Sequence, residues 1–152
     1  MHEKDSSGNS IAQNEAEPHF RALLLPELGE LNPCCIQLPD GSSVQIDGSN
    51  SQQSILVEIF ARQGSLLDGQ KKKAARDILK LAMLKRLKPN RRVIFCYANE
   101  KLDKHLKGAS WLAHAAATFQ VELIDVSDRL PEKVKALLIK TQSEQAKNRR
   151  KA

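Results

Sequence analysis

Two acids and a run of lysines lie close together in this chain. Asp47 closes one short strand, and Glu58 sits in the middle of the next, at residues 54–62. After a turn, a basic helix opens at Gln70-Lys71-Lys72-Lys73. Carboxylate oxygens are the ligands Mg²⁺ prefers, one or two from the protein, with water and substrate filling the other positions. A cation held in that way neutralises charge on a phosphoryl oxygen and supplies hydroxide at neutral pH. A nearby ammonium then steadies the charge that develops. Acid, acid and lysine in this order are the working parts of a phosphodiester-cleaving site.

The strand around Glu58 alternates in a way that bears on this reading. Ile55, Val57, Ile59 and Ala61 point to one face, all apolar, while Leu56, Glu58, Phe60 and Arg62 point to the other. The mixed face is expected to be half-buried. A carboxylate there needs a positive partner. An ion pair with Arg62 or Lys73, fixing the helix on the sheet, is one candidate for that partner; a metal ion is the other.

Periodicity supplies the elements that must hold these residues. Residues 17–31 predict a helix through the Phe20, Leu23, Leu24, Leu28 stripe, with Pro26 as a kink or early stop. Two short strands at 35–38 and 43–46 flank the Pro39-Asp40-Gly41 turn and form a hairpin, which Asp47-Gly48 ends. A helix at 70–87 turns Ala74, Ile78, Leu79 and Ala82 inward and carries Lys73, Arg76, Asp77 and Lys80 as a polar stripe; Pro89 stops it. Residues 92–98 are a continuous apolar run, the signature of a strand buried on both faces. Asn99 and Ser110 cap two short helices, 121–126 is a further strand, and a last helix spans about 131–145. The order predicts an α/β fold with a mixed central sheet flanked by helices.

Length and composition set the outer limits. The 152 residues, 41% hydrophobic and 28% charged, describe one ordinary globular domain at 17–146. Residues 1–16 read as a disordered lead-in rather than a secretory signal, and 147–152 as a basic tail. No apolar run reaches the roughly 20 residues that span a bilayer. Three cysteines give neither a disulfide framework nor a CxxC pair, so a reducing cytoplasm is the expected compartment, with Cys96 a small buried hydrophobe. The net charge of +6 is segregated: residues 71–92 hold ten Lys or Arg against one acid, Asp77, which leaves the rest of the chain net negative. Such a footprint suits a polyanion, although a solvated helix face has the same composition.

The order αβββαβ, with Asp47 at the end of the second strand and Glu58 in the third, resembles the PD-(D/E)XK family, the restriction-endonuclease-like fold. The resemblance covers residues 17–126. It implies a Mg²⁺-dependent nuclease acting on DNA, with Asp47 and Glu58 as metal ligands. In that family a lysine two residues after the second acid orients the attacking water; here that residue is Phe60. Some members supply the basic group from the following helix, which makes Lys73 the expected replacement and gives Gln70 the place of a glutamine that accompanies the site in the exonuclease branch. Arg62, Lys71, Lys72, Lys73 and Arg76 are the expected nucleic-acid contacts. Phe60 favours a non-catalytic member that binds nucleic acid or a protein partner, and a domain of this size would need a homodimer or partner to read a defined sequence. A purely structural α/β module is the third reading.

Other constellations carry less. His2, His19, His105 and His114 have no metal-ligand spacing. The 64–69 loop lacks the Lys-Ser/Thr end of a P-loop. Trp111, beside Leu112, is expected in the core, and aromatics at 4% do not furnish a stacking groove.

Overall fold

The apolar runs at 55–60 and 92–97 become neighbouring parallel strands within a five-stranded sheet. The computed structural model describes residues 11–150, so the first ten residues of the expected lead-in lie outside it. The chain runs α1 (Ile11–Leu28), β1 (Asn32–Gln37), β2 (Ser43–Ser49), β3 (Ile55–Phe60), α2 (Asp68–Leu87), β4 (Arg92–Tyr97), α3 (Glu100–Lys107), α4 (Trp111–Thr118), β5 (Val121–Asp125), a 3₁₀ turn (Ser127–Arg129) and α5 (Glu132–Arg150). The strands lie in sequence order. β1, β2 and β3 form an antiparallel meander, and β4 and β5 join β3 in parallel. This is a mixed, open α/β sheet flanked by helices.

Alternation along the central strands feeds two cores. Leu56, Phe60, Phe95 and Tyr97 pack with Ile78, Leu81 and Leu84 of α2 and with Leu102 and Leu112 of α3 and α4. On the other face, Val57, Ile59, Ile94 and Cys96 pack with Phe20 and Leu24 of α1 and with Val134 and Leu138 of α5. Each large side chain so buried is worth about 1.5–3 kcal/mol. The Glu58 face of β3 is therefore buried, not half-buried as the mixed sequence suggested, since Leu56 and Phe60 have no exposed surface and Glu58 almost none.

Local chemistry sets most boundaries. Asn99 accepts the Leu102 N–H and Ser110 the Ala113 N–H, capping α3 and α4 where expected. The first helix starts and stops earlier than its stripe predicted. Ala16 is already buried within it. Gly29 ends it in the left-handed conformation (φ 77°), its N–H bonded to the Leu25 carbonyl. Pro26 lies inside the last turn, and the helix passes through it. The last helix continues through Arg150, beyond the expected end near 145.

Candidate carboxylate–lysine site

Asp47 does not end its strand. It sits inside β2 at a fault in the sheet. Along β1, Asn32 and Cys34 pair with Ser49 and Ile46, so one residue of β1 faces two of β2, Asp47 and Gly48. This extra residue is a β-bulge, a device that breaks the alternation and re-aims side chains. On the other edge the β2–β3 ladder holds at Gly48–Val57 and Ser49–Leu56. Beyond it, the Ile59 N–H bonds to the Asp47 carboxylate, Oδ2, at 2.8 Å. The Asp47 carbonyl accepts from Arg21 Nη1 of α1 at 3.1 Å. Gly48 is the natural residue at the fault, because a Cβ there would lie 3.3 Å from the Leu31 Cβ.

The polar stripe of α2 lies over this part of the sheet. Lys80 Nζ donates to Glu58 Oε2 at 3.3 Å and to the Gln45 carbonyl at 3.1 Å, bridging β3 and β2. Two turns back, Lys73 pairs with Asp77 at 3.0 Å, its ammonium 5.6 Å from the centre of the Phe60 ring. Glu58 and Asp77 are both buried, at 3% exposure. Among the described residues, the other carboxylate oxygen of Glu58, Oε1, is buried with no hydrogen-bond donor from the protein.

Burial and neighbouring acids raise the proton affinity of Glu58 and Asp47. Burial first, then the Asp47 and Asp77 charges, push the Glu58 carboxyl up to about 9 against the pull of Lys80. Burial also lifts Asp47, with Asp77 adding to the effect; the Ile59 N–H and the two lysines oppose it. A site that holds protons this tightly is short of positive charge. Carboxylate oxygens are the donors a hard divalent cation takes, and Asp47 and Glu58 are the residues that could hold one here. Among the described residues no group of three or more His, Cys, Asp or Glu gathers tightly enough to hold a metal by itself. A cation here would rest on two carboxylates and take the rest of its shell from water and substrate, as Mg²⁺ commonly does.

The predicted site residues separate into those the fold gathers and those it does not. Asp47, Glu58 and Lys73 come together. Gln70 is engaged elsewhere, its side-chain oxygen accepting the Leu67 N–H at the start of α2. The ion-pair partner of Glu58 is neither Arg62 nor Lys73 but Lys80, whose position two turns along α2 brings it over the strand. Arg62 stands two residues past the end of β3, half-buried. Lys71 and Lys72 are exposed on the first turn, and Arg76 turns to another flank of the helix, beside Leu79 and Trp111. Trp111 is 76% exposed and not in the core, because α4 buries Leu112 and Ala116 instead. The sequence reading passed over Lys80 and Asp77 as site residues. Their signal was present, since Lys73, Asp77 and Lys80 recur at helical spacing and Asp77 is the sole acid of a basic segment.

No protein-family model, no curated protein and no solved structure matches this chain. Among the described residues no helix is long and apolar enough to cross a membrane. The functional reading therefore rests on the site.

Proposed function

We propose that this chain is a restriction-endonuclease-like domain that binds Mg²⁺ through Asp47 and Glu58 and hydrolyses phosphodiesters, with DNA as substrate. One observation carries the reading: at a bulge in the β1–β2 pairing the Asp47 carboxylate reaches β3, beside a Glu58 carboxylate that pairs with Lys80 and has one oxygen buried without a protein donor. The αβββαβ order and the mixed sheet are consistent with that family. When bound, the cation would supply charge neutralisation at the phosphoryl group and a water of lowered pKa. The protein's own part is positional. Asp47 is fixed by the Ile59 N–H, and Glu58 is oriented by Lys80, which holds its ammonium beside the acids where charge builds in the transition state. Lys80 thus takes the part that Phe60 cannot play, ahead of Lys73, whose ammonium is drawn to Asp77.

Phe60 favours a second reading, a non-catalytic member of the same fold that binds nucleic acid without cutting it. Its ring is wholly buried against Phe95, at 6.0 Å between centroids, so it serves the core. The two readings part in a cleavage assay on duplex DNA, single-stranded DNA and RNA with Mg²⁺ or Mn²⁺. The catalytic reading expects metal-dependent cleavage that falls by about 10²-fold or more in Asp47→Asn. Absence of cleavage on every substrate, with nucleic-acid binding retained, would leave the binding reading in its place.

A further inference from the structure

Of the buried carboxylates at the site, Asp77 is the one to which the proposed chemistry gives no part. It lies on the polar stripe of α2 with 3% of its surface exposed. Lys73 precedes it by four residues and Lys80 follows it by three, so both lysines are its neighbours on the helix face. Lys80 reaches down to the sheet, to Glu58 and the Gln45 carbonyl. Lys73 does not. Its ammonium donates to Asp77 Oδ2 at 3.0 Å and stands 5.6 Å from the centre of the Phe60 ring. The two side chains are 19% and 5% exposed, so water and salt screen this contact far less than an ordinary surface pair.

What Lys73 would otherwise meet is set by the strand beneath it. Phe60 and Glu58 share one face of β3, two residues and about 7 Å apart. A lysine ammonium rides on a flexible four-carbon stem, and a swing of that stem carries it from the Phe60 ring toward the acids. Its charge is already felt at Asp47, together with those of Asp77 and Lys80. A second ammonium set against Asp47 and Glu58 would neutralise the carboxylates that a divalent cation needs, and the cation would have to displace it. We propose that Asp77 is a positioning residue that holds Lys73 aside, leaving a single ammonium, that of Lys80, on the two acids and keeping them open to a cation. This rests on the metal-binding reading above and adds the residue that keeps its site unblocked.

The test is a double-mutant cycle in Mn²⁺ affinity, measured by electron paramagnetic resonance at pH 8 for wild type, Asp77→Asn, Lys73→Met and the double variant. Asp77→Asn should weaken Mn²⁺ binding by about tenfold or more, because the released ammonium competes for Asp47. In the Lys73→Met background the same substitution should cost less than about threefold, since no ammonium remains to be held. Circular dichroism confirms the fold of each variant, and Asp77→Ser takes the place of Asp77→Asn should the latter not fold. An Asp77→Asn protein that binds Mn²⁺ as wild type does would overturn the proposal. So would a tenfold loss that persists undiminished without Lys73, which means that Asp77 acts through its own charge or as a ligand. Both outcomes leave the metal reading standing, whereas a wild type that binds no Mn²⁺ overturns the two together.

Discussion

Glu58 is the residue on which the chemistry turns, and its burial has a sign that can be checked. In the unfolded chain it ionises near 4.5; in the fold, burial and the neighbouring acids hold its proton up to about 9. Between those values the folded state binds more protons than the unfolded, so stability falls as pH rises through that window. The raised Asp47 carboxyl acts in the same direction. Thermal melts should show Glu58→Gln gaining on the wild type from pH 5 to pH 9, by on the order of 2 kcal/mol at the upper end. A pH-independent difference between the two proteins would mean that Glu58 is ionised throughout and satisfied by Lys80 alone. The neighbouring lysines give a second check. If cleavage is observed, Lys80→Met should reduce it by about 10²-fold and Lys73→Met by much less, because Lys80 is the ammonium bonded to Glu58. The reverse order in single-turnover rates would return the role to Lys73.

At the scale of the element, the bulge in β2 does what the sequence pattern hid. Asp47-Gly48 reads as the end of a strand, since both residue types are common in turns, and the preceding alternation stops there. The strand instead continues to Ser49. A bulge is a fault in hydrogen bonding between chains, so a single sequence carries no periodic trace of it. The Glu58 strand was more legible, because alternating apolar residues and a following basic helix fix its position. What could not be read was which lysine would cover Glu58, since that depends on how far α2 slides along β3. The exposure of Trp111 was hidden for a similar reason, being settled by the roll of α4 that puts Leu112 inward. The fault itself is testable through Gly48→Val. The added Cβ would meet Leu31 at 3.3 Å and Arg21 at 3.7 Å, and Arg21 is the side chain that holds the Asp47 carbonyl. Over-packing of this kind costs about 1–3 kcal/mol, so the melting temperature should drop by several degrees. An unchanged melt would show that the chain does not pack there as described.

For the whole molecule, the segregation of charge is the property that matters. The basic residues gather on α2 and its C-terminal connection, while the acids of the site lie beneath the same helix. That arrangement suits a polyanion lying over buried carboxylates that a cation would neutralise. Binding to duplex DNA should weaken linearly in log salt, with a slope near −0.9 for each phosphate engaged, and Lys71→Glu should lower both affinity and slope by about one contact. A salt-independent interaction, measured by fluorescence anisotropy, would argue against phosphate contacts altogether.

The central claim, that Asp47 and Glu58 hold a divalent cation, is tested most directly by counting bound Mn²⁺ through its electron paramagnetic resonance signal. The account predicts one Mn²⁺ per chain with a Kd near or below about 1 mM at pH 8, tightening as pH rises because the cation displaces the Glu58 proton. At 10 mM such binding stabilises the fold by about 1.4 kcal/mol, an upward melting shift of about 3–6 °C. Asp47→Asn and Glu58→Gln should each abolish the bound signal and the melting shift while leaving the protein folded. Free Mn²⁺ only, up to about 10 mM, or a bound ion that survives both substitutions, would contradict it.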